Sequence, residues 1–161
     1  FTGSGALFLE ALSRGASRAL ALDMNPDSIA SLRGHLQTLR CEHGQLAQAD
    51  ALTYLQTQPA TQFDLVFLDP PAWAKSAFGT VDLLRDYQSL LKPAILATAD
   101  DGVLICCNNL AKVAMADWRE QVLRCAEKLG RPVRDWQVLP PASDFPSQDG
   151  QPPLKTLILQ F

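Results

Sequence analysis

The pentapeptide Asp69-Pro70-Pro71-Ala72-Trp73 places a carboxylate, two prolines and an aromatic ring directly after an apolar run, residues 63–68. Because proline has no N–H to donate and fixes its own φ, the pair ends any strand that this run forms. The residue before a proline is held extended, so the corner should be stiff. Such a corner presents a carboxylate, rigid carbonyls and a flat ring, which suit a planar substrate. A plain turn stiffened by proline would carry the same residues.

The glycine-rich segment Thr2-Gly3-Ser4-Gly5 stands directly before an apolar pattern with helical spacing. Glycines there let a ligand approach the backbone at the amino terminus of a helix, where N–H groups are unpaired. The pattern is G-x-G-x-x-F, because Phe8 replaces the third glycine of the dinucleotide fingerprint. Asp23 follows about 20 residues later, the spacing of a carboxylate that binds ribose hydroxyls. Nicotinamide enzymes and methyltransferases both use this pair, and a solvated acid at a strand end is the alternative for Asp23.

Polar residues also follow two further apolar runs. Asp50 precedes Ala51 at the end of one of them, where its carboxylate is suited to accept a hydrogen bond from an adenine amino group. It is also suited to cap the helix predicted from Ala51 onward, and the two roles are compatible. Asn108 and Asn109 follow a later run and offer amides that both donate and accept hydrogen bonds. A cap on the turn after a strand is the alternative for this pair.

Alternating apolar runs and helical patterns separate these residues. Strands are predicted over 19–22, 45–49, 63–68, 102–107, 133–139 and 154–161, and helices over 6–14, 26–40, 51–56, 81–98 and 114–129. Asn25 is expected to cap the second helix, and Pro93 to kink or split the fourth. The alternation up to the final pair of strands predicts an α/β fold: a doubly wound, Rossmann-like, mostly parallel sheet with one late antiparallel strand.

The carboxyl ends of parallel strands lie along one edge of a sheet, where ligands bind. We therefore expect Asp23, Asp50, Asp69 and the Asn108-Asn109 pair to converge although they are far apart in sequence. The chain starts at Phe1 with no strand ahead of the glycine turn. We expect the missing first strand, and a further amino-terminal module, in a longer protein of which this chain is a carboxyl-terminal piece.

The composition limits the class of protein. The 161 residues fit one domain, 1–161, and 47% hydrophobic with 19% charged residues indicates a globular chain. No apolar run is long enough to span a bilayer, and the four cysteines show no CxxC spacing. We therefore expect a cytoplasmic protein, with no membrane partner and no metal, since His35 and His43 also lack partners at metal spacing. The net charge of −3 implies that a polynucleotide would be gripped largely from elsewhere.

The series Phe1-Thr2-Gly3-Ser4-Gly5, Asp23, Asp50 and Asp69-Pro70-Pro71 resembles the class I S-adenosylmethionine-dependent methyltransferases over almost the whole chain. The Phe-Thr-Gly turn, the proline corner and the two asparagines are similar to the bacterial large-subunit (23S) ribosomal RNA methyltransferases that carry an RNA-binding module ahead of the catalytic domain. Ser143-Asp144-Phe145-Pro146 resembles a segment of the same group. The resemblance implies S-adenosylmethionine as cofactor and methyl transfer to a base of ribosomal RNA.

The resemblance also implies which residues face the cofactor: Thr2, Gly3 and Gly5 at its methionine end, Asp23 at the ribose hydroxyls, Met24 against adenine, Asp50 at the adenine amino group with the Ala51 amide, and Asp69 beside the sulfonium. Asp69, Pro70 and Pro71 would line the place where the methyl group meets the base. Around the substrate, Trp73 would stack on the base and Lys75 would contact an RNA phosphate, although a solvated loop lysine would look the same.

One departure from the group narrows the chemistry. Cytosine C5 methylation needs a thiolate nucleophile, which in the C5 branch follows the fifth strand, where this chain has Asn109. Cys106 and Cys107 fall earlier, inside an apolar run, and are interpreted as structural. The Asn108-Asn109 pair is similar to the branch that methylates guanine N7. There the nitrogen attacks directly, and such a site gains rate from proximity and orientation.

Two other classes of function stay open at this point. A nicotinamide-dependent oxidoreductase would share the glycine turn and Asp23, but Phe8 and the Asp-Pro-Pro corner disfavour it. A catalytically inactive domain that binds RNA or a protein partner would keep the fold, and the intact motifs disfavour it. Trp118 and Trp136 are interpreted as core residues rather than site residues.

Overall fold

The computed structural model describes residues 2–57, 60–70, 73–76, 79–142, 147 and 153–161, with the main chain alone described for 73–76 and 79–86. The predicted Ser143–Pro146 segment and Pro71 lie outside the described residues. The chain divides into two compact units, Phe1–Tyr54 and Leu55–Phe161. Each unit has a sheet and buried apolar residues of its own.

The first unit is built from two helices and two strands, followed by the start of a third helix. Their bounds are α1 Ala6–Ser13, β1 Ala19–Asp23, α2 Pro26–Leu39, β2 Gly44–Gln48 and α3 Ala51–Thr57. Strands β1 and β2 pair in parallel, with Ala19 opposite Gly44 and Asp23 opposite Gln48. Phe8, Ala21, Leu32 and Leu36 form the core between the helices and this pair.

Helix α2 begins and ends as its sequence predicts. The Asn25 side-chain oxygen accepts a hydrogen bond from the Asp27 N–H at 2.9 Å, and Pro26 occupies the first helical position. This geometry satisfies one of the unpaired donors at the helix start. Arg40 ends the helix in the left-handed conformation, with φ +54°. The predicted cap is therefore confirmed.

The second unit contains a four-stranded sheet, a hairpin and two helices. Their bounds are β3 Phe63–Leu68, β4 Trp73–Ser76, β5 Gly79–Asp82, α4 Leu83–Ala97, β6 Thr98–Asn108, α5 Met115–Lys128, β7 Asp135–Leu139 and β8 Lys155–Gln160. The sheet has the order β3-β6-β8-β7. Strand β3 is parallel to β6, whereas β8 runs antiparallel to both of its neighbours. This arrangement confirms the predicted α/β class and the late antiparallel strand.

The core of the second unit lies around α4 and α5, which pack against each other, and α4 also packs on β3 and β6. Tyr87 and Trp118 are each 1% exposed and meet edge to face, with ring centroids 5.7 Å apart. Leu104, Leu157 and Leu159 are fully buried on the central strands β6 and β8. Burial of these large side chains stabilises this sheet.

Three features of the second unit differ from the expectations. Helix α4 continues through Pro93 and is not split there, while the alternative expectation of a kink stays a prediction. The antiparallel β4–β5 hairpin was not predicted. Trp118 is buried as expected, but the interpretation of Trp136 as a core residue is wrong. Trp136 lies on the edge strand β7, is 42% exposed and has the Arg119 guanidinium carbon 4.5 Å from its ring centroid. An edge strand leaves one flank uncovered, which explains the exposure.

Within the described part of the chain, no helix combines the length and the apolar character needed to cross a bilayer. The same residues include no group of three or more His, Cys, Asp or Glu side chains arranged to hold a metal ion.

Candidate active site

The glycine turn of the first unit is folded tightly against helix α2. Gly5 has φ +74°, and its N–H donates to the Thr2 carbonyl oxygen at 2.8 Å. A Cβ added at Gly5 would lie 2.0 Å from Cδ2 of Leu32, so only glycine fits there. Gly3 also has a left-handed φ, +53°, but a Cβ at Gly3 would meet nothing within 4 Å. The turn is thus closed on the Gly5 side and open on the Gly3 side, which leaves room for a ligand to approach the backbone.

Asp23, the last residue of β1, holds this turn in place. One carboxylate oxygen accepts from the Gly3 N–H and the other from the Asn25 N–H, both at 2.9 Å. Burial opposes ionisation, but these backbone donors outweigh it, and the pKa of the carboxyl is lowered below its usual value. Each carboxylate oxygen has two lone pairs, so Asp23 keeps the capacity to accept further hydrogen bonds. The neighbouring Met24 side chain is 46% exposed.

Asp50 lies beside Asp23, because the Ala49 N–H donates to the Asp23 carbonyl oxygen at 3.0 Å. Its Oδ1 accepts from both the N–H and the hydroxyl of Thr53, each at 2.8 Å. This is the predicted cap of helix α3. Its Oδ2 is buried and has no hydrogen-bond partner among the described residues. Asp50 therefore caps the helix with one oxygen and leaves the other as a buried acceptor without a donor.

The orphaned Oδ2 provides a test of whether an adenine nucleoside fits here. Leaving a buried acceptor unsatisfied costs about 1–3 kcal/mol, more when it is charged. An amino group donated by a ligand would remove that cost. Asp23, with free lone pairs, and the open backbone at Gly3 lie in the same unit and supply the acceptors and the space that ribose and a methionine moiety need. The hydrogen-bond acceptors and the open backbone of the first unit therefore fit S-adenosylmethionine.

In the second unit, Asp69 directly follows β3 and remains accessible to solvent, while Pro70 is buried. Partial burial raises the pKa of the Asp69 carboxyl above its usual value. Trp73 and Lys75 belong to strand β4 by their main chain, and their side chains are outside the description. Of the proline corner, the structure therefore describes an exposed Asp69 and a buried Pro70.

The two asparagines at the end of β6 have different environments. Asn108 is 1% exposed, and its side-chain oxygen accepts from the Leu110 N–H at 2.9 Å. This contact caps the turn after the strand, which is the alternative role that the sequence suggests for the pair. Asn109 is exposed. Of the pair, Asn109 is therefore the one whose amide is accessible to a ligand, whereas Asn108 shapes the turn that carries it.

Two residues that sequence reasoning missed hold this turn from either side. The hydroxyl of the buried Tyr87 donates to the Cys107 carbonyl oxygen at 3.0 Å. The Lys155 ammonium donates to the carbonyl oxygens of Leu110 and Pro153, each at 2.8 Å. Burial raises the pKa of Tyr87 far above its usual value and lowers that of Lys155. No sequence pattern signals these contacts, because they join residues 20 and 45 positions apart.

Cys106 and Cys107 lie in environments that disfavour the thiolate form. Both are buried, and burial raises the pKa of Cys106 to about 12 and that of Cys107 above its usual value. The Cys106 thiol donates to the Leu157 carbonyl oxygen at 3.6 Å. Because the thiolate is the nucleophilic form, these environments support the structural interpretation of both residues.

Comparison with known proteins places these features in a family. The chain is 31% identical over 133 residues to ribosomal RNA large subunit methyltransferase K/L of Marinobacter nauticus, covering 79% of this chain and 18% of that protein. It is 38% identical over 99 residues to ribosomal RNA small subunit methyltransferase D of Haemophilus influenzae, covering 60% of this chain and 51% of that protein. The chain therefore spans from about a fifth to about half of these relatives.

The fold is shared with SMU.776, a methyltransferase whose crystal structure contains SAH. The TM-score is 0.80 at 20% identity, over 99% of this chain and 43% of that one. The predicted resemblance to class I methyltransferases of the ribosomal RNA type is thus confirmed, with relatives named for both ribosomal subunits. The profile of one family, described as conserved hypothetical protein 95, matches residues 1–128. The chain, which has the class I S-adenosylmethionine-dependent methyltransferase fold, therefore belongs to the conserved hypothetical protein 95 family.

Proposed function

We propose that residues 1–161 form the catalytic domain of a methyltransferase that transfers a methyl group from S-adenosylmethionine to a base of ribosomal RNA. The observation that carries the proposal is the buried Oδ2 of Asp50, an acceptor without a donor beside the Asp23 carboxylate and the open Gly3 backbone. The names of the relatives, large- and small-subunit ribosomal RNA methyltransferases, support the substrate class.

The first unit is the cofactor side of this proposal. Asp23 binds the ribose hydroxyls with the lone pairs left by Gly3 and Asn25, and Asp50 Oδ2 accepts from the adenine amino group. Met24, with an exposed side chain, packs against adenine, and the Ala51 amide acts with Asp50 at the adenine edge. The backbone of Thr2, Gly3 and Gly5 faces the methionine end. Bound S-adenosylmethionine supplies an electrophilic methyl group on a sulfonium.

The second unit supplies the substrate side. Asp69, Pro70 and Pro71 border the reacting methyl group, and the Trp73 ring stacks on the target base, as aromatic side chains do on unpaired nucleotides. The exposed Asn109 amide donates to and accepts from the edge of the base, and Lys75 contacts a phosphate. These residues position the base rather than form a bond to it, so the rate gain comes from orientation.

Guanine N7 suits this set of residues. Its lone pair attacks a methyl group without prior loss of a proton, so no general base and no thiolate are required. The raised pKa values of the buried Cys106 and Cys107 agree with a mechanism that forms no covalent enzyme adduct. The acidic net charge of −3 disfavours a broad basic RNA-binding face on residues 1–161. We propose a cytoplasmic location, because the proposed substrate is ribosomal RNA.

The nicotinamide oxidoreductase is the weaker alternative. In this chain Phe8 takes the position of the third fingerprint glycine, and it is only 7% exposed within the core of the first unit. The Asp-Pro-Pro corner has no role in hydride transfer. A catalytically inactive RNA-binding domain would have no use for an unsatisfied acceptor at Asp50.

Asp50→Asn in the full-length protein tests the proposal. Asparagine caps helices as well as aspartate does, so the Thr53 contacts can persist, but a nitrogen at the Oδ2 position would face the adenine amino group donor to donor. A hydrogen bond to a charged group contributes about 1.5–3 kcal/mol. We expect calorimetry with S-adenosylhomocysteine to show affinity reduced roughly 10- to 140-fold.

Asp27→Asn is the matched control, since Asp27 is an exposed acid in the first turn of α2 in the same unit. It should bind S-adenosylhomocysteine like the wild type. Equal affinity of Asp50→Asn and wild type would contradict the cofactor assignment. Mass mapping of ribosomal RNA from cells lacking the gene should then reveal one unmethylated base, restored by wild type and not by Asp50→Asn. A complete set of methylated bases in those cells would refute the RNA substrate.

A further inference from the structure

The turn after β6 is fixed at three points. Ahead of Asn108, the Tyr87 hydroxyl holds the Cys107 carbonyl at 3.0 Å. At its centre, the Asn108 side-chain oxygen accepts from the Leu110 N–H at 2.9 Å. After it, the Leu110 carbonyl accepts from Lys155 Nζ at 2.8 Å and from the Val113 N–H at 3.1 Å. The exposed Asn109 thus lies between the buried Asn108 and Leu110, whose carbonyl oxygen accepts from Lys155.

Lys155 is an unexpected choice for such a contact. It stands opposite Asn108 in the β6–β8 register and directs its ammonium to two neutral carbonyls, of Leu110 and Pro153. No ion pair joins it to a carboxylate in the described part of the chain. Partial burial lowers the pKa of Lys155 below its usual value. The ammonium thus joins β8 to the turn after β6 through the Leu110 carbonyl oxygen.

We propose that Lys155 is a positioning residue, which acts through the Leu110 carbonyl to keep the Asn108–Leu110 turn in the one shape that presents the Asn109 amide to the substrate base. The inference rests on the proposed function and extends it to a residue outside every motif of the sequence. Lys155 itself need not touch the substrate. Its loss should therefore change the geometry of the bound base more than the affinity for RNA.

Steady-state methylation of RNA by the full-length protein distinguishes this role from others. Lys155→Met keeps the length of the side chain but cannot donate, and it should lower kcat about tenfold while the KM for RNA stays within twofold. Lys155→Arg restores a donor and should recover at least a third of the lost kcat. Lys112→Met, a change at an exposed lysine in the same connection, is the matched control and should leave both constants unchanged.

Three results would overturn the inference: an unchanged kcat in Lys155→Met, no recovery in Lys155→Arg, or a raised KM with unchanged kcat. The last would identify Lys155 as a direct phosphate contact, which a steeper loss of affinity with salt in the wild type than in the variant would corroborate. Should Lys155→Met not fold, Lys155→Gln gives the same comparison with a shorter neutral side chain.

Hydrogen exchange of the Leu110 amide tests the same inference without any assay of activity. In Lys155→Met, with the wild-type melting temperature retained, this amide should exchange at least tenfold faster, whereas amides of helix α5 stay unchanged. Unaltered exchange at Leu110 would refute the positioning role. Failure of the wild type to bind S-adenosylhomocysteine would instead refute the proposed function, so the two failures are distinguishable.

Discussion

Gly5→Ala should destabilise the first unit far more than the same change at another left-handed glycine. At Gly5, φ is +74° and the new Cβ would lie 2.0 Å from Cδ2 of Leu32 and 2.8 Å from its Cδ1. The left-handed conformation costs alanine roughly 1–2 kcal/mol. Forcing an extra methyl group against a fully buried leucine costs about 1–3 kcal/mol more. The expected loss in the free energy of unfolding is therefore roughly 2–5 kcal/mol.

Gly15→Ala isolates the backbone contribution. Gly15 has φ +93°, and a Cβ there would meet nothing within 4 Å. Gly15→Ala should therefore lower the free energy of unfolding by only roughly 1–2 kcal/mol, the cost of the left-handed backbone. In a Leu32→Ala background the Gly5→Ala change should fall to the same roughly 1–2 kcal/mol, since the side-chain atoms that the new methyl group would strike are gone.

Urea denaturation of the full-length protein, followed by far-UV circular dichroism, measures these free energies. The reasoning would be refuted if Gly5→Ala and Gly15→Ala lowered the free energy of unfolding by amounts that agree within about 0.5 kcal/mol, the size of an ordinary surface effect. An unchanged effect of Gly5→Ala in the Leu32→Ala background would refute it as well. Either result would mean that the glycine turn does not pack on α2 as closely as described.

Three further predictions concern residues of the two units. Gly3→Ala should lower the free energy of unfolding by only roughly 1–2 kcal/mol, the cost of the left-handed backbone. It should lower S-adenosylhomocysteine affinity at least tenfold in calorimetry, because the cofactor would approach the turn from the side of Gly3. Unchanged affinity would place the cofactor elsewhere. Burial raises the pKa of Asp69, so its ionised form destabilises the fold above the folded-state pKa, and the penalty disappears as the pH falls below the ordinary value of 3.8. Asp69→Asn should therefore raise the free energy of unfolding at pH 7, lose that gain in acid and lower methylation; lower stability at pH 7 would contradict this. Iodoacetamide on the native protein should label the partly exposed Cys41 and spare Cys106 and Cys107, as read by peptide mass spectrometry, and 5-fluorocytosine RNA should trap no covalent complex. A trapped complex that is lost in Cys107→Ala would restore the nucleophile hypothesis.

Local signals in the sequence were sufficient for the parts of the molecule that local physics decides. Asn25 before Pro26 and Asp50 before Ala51 are caps that need only adjacent residues, and both are present. The strand and helix order follows from apolar periodicity over short windows. The placement of Asp23 and Asp50 at the ends of neighbouring parallel strands follows from the α/β alternation itself.

Contacts between distant residues could not be predicted in this way. The close approach of Gly5 to Leu32 and the Lys155 contact to Leu110 depend on packing that a single sequence does not express. Trp136 has a large aromatic side chain, as many core residues do, yet its place on an edge strand leaves it exposed. The convergence of Asp69 and the asparagine pair with the two acids of the first unit stays a prediction of the strand order.

The three tryptophans, at positions 73, 118 and 136, all belong to the second unit. Within residues 1–161, indole fluorescence therefore reports the unfolding of residues 55–161, whereas circular dichroism senses helices in both units. Trp118 is enclosed against Tyr87, whereas Trp136 is partly exposed and lies against the Arg119 guanidinium, so these two fluorophores differ in their exposure to water. A single pair of optical probes thus separates the melting of the proposed cofactor half from that of the proposed substrate half.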